Sequence, residues 1–234
     1  TSKISSAEDL FNIATLGFRG EALASIAAVS MVNVTTKTAE SKTGVYLEVD
    51  AAENKNKKSV SCPAGTAIEV NQLFFNTPVR RKFLKDPSTE FSAILDVVKR
   101  YALIRSDVSF RLSHNNETIL YAPSGDWFNT IVNIYGKENA RMMLKLNHNE
   151  TFASNNSIHI EGFIGKPEIA RKNKSLQSLY INRRYIIDSD LCGTIYKAYG
   201  QLLFSGRHPV YVININIDYS LVDVNVIRAI LMLC

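Results

Sequence analysis

The chain has 234 residues, 46% of them hydrophobic and 21% charged, with a formal net charge of +5. That balance excludes an intrinsically disordered chain, and no apolar run reaches the length of a membrane span. Three cysteines (Cys62, Cys192, Cys234) and four scattered histidines exclude a disulfide scaffold and a zinc site, while the modest basic excess permits a phosphate or nucleic-acid partner without demanding one.

In chain order, Ser5 and Glu8 stand at capping-box spacing and open a short helix that Gly17 stops. A second helix runs from about Glu21 to Val29, small and apolar throughout, and is expected to be largely buried. "MVNVTTKT" (31–38) and "GVYLEVD" (44–50) alternate like paired strands, "ENKNKKS" (53–59) reads as a polar loop, and "GTAIEVNQLF" (65–74) as another strand. Thr77-Pro78 starts a helix, with Thr at the cap and Pro in the first turn. The basic cluster Arg80, Arg81, Lys82 and Lys85 follows. Phe91, Leu95, Val98 and Ala102 mark an amphipathic helix over 88–104. Residues 108–122 read as a hairpin turning at Asn115-Asn116. "APSGD" (122–126) breaks both periods and is the linker candidate. Beyond it come a helix over 127–135 stopped by Gly136, strands near 143–147, 157–165 and 175–186, a helix near 189–203 and an apolar strand over 209–218. The pattern predicts an α+β protein of two domains, 1–122 and 123–234.

"TLGFRGEALASIA" (15–27) places two glycines, a cation and an acid directly before a helix. Glycine lets a ligand approach the backbone, and a helix N-terminus offers unpaired N–H groups with partial positive charge. Gly17 to Ala22 can therefore cradle an anion, with Arg19 adding charge. A glycine-stopped helix followed by another helix, with Arg19 solvated, is the competing reading of the same residues.

"GFRGEALASIA" resembles the lid motif of the MutL mismatch-repair family. "GTAIEVNQLFFNTPVRRKFLK" (65–85) resembles its second signature, G-T-x-V-x-V-x-x-L-F-x-N-x-P-x-R-x-K-F-L. "SLYINRRYI" (178–186) resembles its F-V-N-x-R strand, and "VDVNV" (222–226) its last-strand motif. The four blocks occur in the family's order over nearly the whole chain. The family shares its ATPase group, GHKL, with gyrase, the Hsp90 chaperones and histidine kinases. The resemblance implies an incomplete GHKL-type ATPase α/β sandwich followed by a ribosomal-S5-like α/β second domain.

The resemblance further implies an ATP lid at Gly17, Phe18, Arg19, Gly20, Glu21 and Ala22, whose amides contact the triphosphate, with Lys3 near its start. Thr66 matches the position that helps hold the adenine; an ordinary strand threonine is the alternative. The family's catalytic Glu, its Mg²⁺-binding Asn and its Asp-x-Gly-x-Gly motif precede the lid, and this sequence, which opens at Thr1 without Met, is expected to be a fragment beginning after them. Weak or no ATP turnover is therefore expected of this chain alone. The family continues "VDVNV" with His-Pro-x-Lys, whose lysine reaches the γ-phosphate; here the sequence reads "VIRAILMLC", as a frameshift or incomplete gene end would give. Arg80, Arg81, Arg183 and Arg184 are the candidate DNA contacts in a groove without sequence preference, against a reading as solvated charge. Expected partners are DNA, a MutS-type mismatch sensor, and a second copy or a MutL paralogue. The expected location is the cytoplasm and nucleoid, or the nucleus in a eukaryote. Two functions follow: an ATP-driven clamp coupling mismatch recognition to strand incision, or a DNA-binding and dimerisation module without ATPase activity of its own.

Overall fold

The computed structural model describes residues 17, 20–152 and 157–222, an α+β fold as expected. The chain divides by packing at 90/91 into two compact units. The sequence reading set the boundary after Ala122. The difference has a packing reason: Ala102, Leu120 and Ala122 form one apolar cluster with Leu95, Val98 and Phe110, so the long helix and the hairpin after it belong with the second unit. Among the described residues no helix is long and apolar enough to cross a membrane.

The first unit opens with helix α1 (Ala22–Ala27) and is built on four antiparallel strands: β1 (Met31–Lys37), β2 (Gly44–Asp50), β3 (Glu53–Val60) and β4 (Gly65–Asn71), in the order β3-β2-β1-β4. Period-two alternation sets one face. Val32, Val34 and Thr36 lie opposite Val49, Leu47 and Val45 on one side and Val70, Ile68 and Thr66 on the other. Val32 is fully covered. Short helix α2 (Pro78–Lys82) follows β4.

Two expectations fail here. Residues 53–59 are not a loop but strand β3. Ala51 and Ala52 both take left-handed φ (48° and 68°), and this tight turn folds the polar stretch back onto β2. Lys58 then sits opposite Tyr46 with its ammonium 5.0 Å from the ring centre. An edge strand needs no apolar side chains to make its ladder, and charges protect such an edge from further pairing. Helix α1, expected to be buried, has no buried residue, and Leu23 remains 47% exposed. It packs beside β1, and most of its residues are exposed.

The second unit surrounds a mixed sheet of β7 (Met143–Thr151), β8 (Ser157–Gly165), β9 (Gln177–Ile181), β10 (Arg184–Ile186) and β11 (Tyr211–Asn216), ordered β10-β9-β11-β8-β7. Among the described residues only β9 and β11 run parallel, joined through β10 and helix α6 (Ser189–Tyr199). Alternation divides the core. Tyr180, Val212 and Phe163 face α3 (Pro87–Ile104), α4 (Trp127–Tyr135) and α5 (Lys137–Arg141) through Leu103, Ile131 and Ala140. Leu179, Tyr211 and Ile213 face α6 through Leu191 and Ile195. The hairpin β5 (Phe110–His114) and β6 (Glu117–Ala122) turns at Asn115-Asn116, φ 50° and 68°, as its sequence predicts. Residues 175–186, expected as one strand, are two: the chain reverses at Asn182-Arg183 between β9 and β10.

Candidate functional site

Of the lid residues, Lys3, Phe18 and Arg19 lie outside the described residues, as do the first helix, the tail after Val222 and most of the "VDVNV" block. Gly17 and Gly20 are exposed. Gly20 takes φ 68°, a left-handed value that turns the chain into α1 without a Cβ penalty. Glu21 is the cap residue, its carbonyl accepting from Ser25 N–H at 2.8 Å, and Ala22 opens the helix.

The other end of α1 is tied down. Its last carbonyls need donors, and the structure supplies them from three places. Ser30 Oγ donates to the Ile26 carbonyl at 2.6 Å, Ala52 N–H to Ala27 at 2.9 Å, and Asn76 Nδ2 to Ala28 at 2.9 Å. Phe74 N–H donates to Val29 at 2.7 Å. The segment preceding α2 thus anchors the C-terminal end of α1. Asn76 is a residue the sequence reading passed over; the asparagine inside the "FFNTP" block was its signal.

Thr66 stands opposite Thr36 on β1, with the two hydroxyls 2.8 Å apart. Either hydroxyl can donate in this pair, Thr36 Oγ1 also reaches the Gly65 carbonyl at 3.3 Å, and Thr66 retains lone-pair capacity for an incoming N–H or water. Both threonines are exposed.

Arg80 and Arg81 lie on α2 with Lys82, all exposed, and no described carboxylate forms an ion pair with them. Thr77 holds the cap position but makes no side-chain cap bond; its Oγ1 is buried without a described partner. Helix α2 is instead closed by backbone, Arg81 N–H donating to Thr77 at 3.1 Å.

Arg183 and Arg184 belong to the other unit. Asn182 and Arg183 take φ 48° and 64°, the pattern of a two-residue type I′ turn, which puts Arg183 at an exposed hairpin tip. Arg184 is half-buried at the start of β10, and burial lowers its guanidinium below its ordinary value against the opposing pull of Tyr219 and Tyr101. Neighbouring cations that no sequence motif marks complete the surroundings. Arg100 lies over the Tyr185 ring, 4.1 Å from its centre, and its carbonyl accepts from buried Tyr180 Oη at 2.7 Å. Lys99, Arg100 and Lys174 line a small cavity of about 120 Å³ that holds one acid, Asp96. Arg105, by contrast, is committed: it grips Asp107 with Nε to Oδ1 at 2.8 Å and Nη2 to Oδ2 at 2.7 Å, and so holds the Asp107 carboxyl below its ordinary range. Among the described residues no cluster of His, Cys, Asp or Glu is arranged to hold a metal ion.

A family model described as "DNA mismatch repair protein, C-terminal domain" matches residues 131–227. DNA mismatch repair protein MutL of Desulforamulus reducens is 42% identical over 227 residues, covering 97% of this chain and 35% of that protein. MutL of Herminiimonas arsenicoxydans is 42% identical over 230 residues, covering 97% and 36%. The chain thus spans about a third of the length of the curated relatives it matches. A crystal structure of the N-terminal domain of a DNA repair protein superposes with a TM-score of 0.77 at 27% identity, covering 93% of this chain and 69% of that one. The Aquifex aeolicus MutL ATPase domain complexed with ADP superposes with a TM-score of 0.66 at 25% identity, covering 91% and 75%. The chain belongs to the MutL family of DNA mismatch repair proteins.

Proposed function

We propose that this chain supplies the nucleotide lid and a sequence-independent DNA-binding surface of a MutL-type clamp. The DNA reading is carried by one observation. The hairpin after β9 sets Arg183 at an exposed tip, beside Arg184, in the same unit as the Lys99, Arg100 and Lys174 cavity. Cations so placed neutralise backbone phosphates and release counterions, which gives affinity without reading bases. Arg80 and Arg81 give the first unit a basic helix of the same character.

The nucleotide reading rests on the left-handed turn at Gly20 that leads into α1, on the anchored C-terminal end of that helix, and on the likeness to a MutL ATPase domain complexed with ADP. Gly17 to Ala22 would close on the phosphates with Arg19 and Lys3, and Thr66 would accept from the adenine side directly or through water. ATP, when bound, would supply the triphosphate charge that the Gly17 to Ala22 amides and Arg19 neutralise. The Mg²⁺ is assigned to a ligand outside this sequence. Ordering of the lid is taken to favour pairing with a second copy or a paralogue, and the closed clamp to pass the signal of a MutS-type sensor to strand incision.

Charge reversal tests the DNA surface. Arg183→Glu with Arg184→Glu is expected to weaken duplex binding at least about tenfold at low salt, since two phosphate contacts become repulsions. Undiminished binding by a folded double variant would remove the assignment.

A further inference from the structure

Arg183 holds a backbone conformation that an arginine adopts only under constraint. At φ 64° its Cβ crowds the carbonyl, and the second place of a type I′ turn is ordinarily glycine. A hairpin needs no cation there. The neighbouring strand nevertheless commits buried polar groups to this one exposed residue.

Asn214 lies in the centre of β11, on the face that carries core residue Val212, and is 1% exposed. Its amide is fully used. Oδ1 accepts from Arg183 N–H at 3.0 Å, while Nδ2 donates to Glu161 Oε1 at 3.2 Å and to Asn216 Oδ1 at 2.9 Å. Asn216 Nδ2 closes the ring by donating to the same Glu161 oxygen at 2.9 Å. Asn182 locks the first half of the turn: its side chain both donates to the Ile217 carbonyl and accepts from Ile217 N–H, each at 2.9 Å, and its own N–H donates to Ile215 at 2.9 Å. The turn joins β9 to β10, yet it is pinned from β11 and the residue just after it. A buried amide whose oxygen and both N–H groups are bonded cannot rotate without leaving a polar group unpaired, so the geometry is stiff.

We propose that Asn214 and Asn182 are positioning residues for DNA binding: they fix the backbone of Arg183 so that its guanidinium meets a phosphate from a preset origin. This rests on the DNA reading above. Fixing the tip in the free protein removes an ordering cost from the bound state, which is how a single exposed arginine comes to make a defined contact rather than a diffuse one.

The test is the salt dependence of duplex binding by the full chain, read as the slope of log affinity against log salt. Arg183→Gln is expected to reduce the slope by about 0.9, one phosphate contact. Asn214→Val is expected to reduce it comparably with Arg183 still present, and the double variant to go no further. Asn182→Gly keeps the left-handed turn available while deleting both side-chain bonds to Ile217, and is expected to do the same. A cooperatively folded Asn214→Val or Asn182→Gly protein with the wild-type slope would overturn the positioning role, whereas the DNA reading of Arg183 would stand. An unchanged slope in Arg183→Gln would remove that reading, and the positioning role with it.

Discussion

Gly162 lies in β8 at φ 143°, and a Cβ added there would run into the carbonyl oxygen of Val212 on the paired strand. Neither atom is the end of a flexible side chain, so the sheet itself must move. Gly162→Ala is expected to destabilise the second unit by about 3 kcal/mol or more, read as a shift in urea midpoint. A midpoint within error of wild type would show that the strands can part. The buried tyrosines give this unit a pH signature. Desolvation raises the phenols of Tyr135, Tyr180 and Tyr211 well above the ordinary value of 10.0. An acid whose pKa is raised by folding contributes stability that is complete below its unfolded pKa and lost as pH rises beyond it. The stability of the unit is therefore expected to be unaffected by these groups up to about pH 10 and to fall steeply above it. Alkaline titration of the unfolding free energy checks this, and Tyr180→Phe should soften the fall.

Among the elements, α1 is the one on whose stability the proposed nucleotide role depends. It has six residues, too few to persist without partners, and its order depends on the bonds at its C-terminal end. Asn76→Ala is expected to cost about 1 kcal/mol of local stability and to speed amide exchange over 24–29, with the second unit untouched. ADP is expected to slow exchange over 20–28; exchange indifferent to nucleotide would count against a lid. The strands β1, β2 and β4 and the helices α3 and α4 were legible because their apolar residues recur at periods of two and 3.6. Strand β3 was not: it carries no apolar face, and its turn uses two alanines in place of the Asn or Gly that announces a left-handed pair. The reversal at Asn182-Arg183 was hidden for a related reason, since apolar and aromatic residues continue on both sides of it. The exposure of α1 was illegible because composition shows that a helix is apolar, not which partner covers it.

For the whole molecule, the candidate site divided the same way. Family-like blocks name a candidate lid, Thr66 and four candidate arginines, but not the bonds around them. Asn76, Asn214 and Arg100 act through contacts across 48, 31 and 80 positions of sequence, to Ala28, Arg183 and Tyr180 respectively. No local period records such partners. The proposed binding of DNA through backbone phosphates carries a distinct salt signature. The most direct measurement is the chain's affinity for two duplexes of unrelated sequence, followed as salt rises from about 50 to about 200 mM. Log affinity is expected to fall linearly with log salt, with the same slope for both duplexes, in proportion to the phosphates neutralised. Binding that ignores salt, or that separates the two sequences by more than about tenfold, would contradict it.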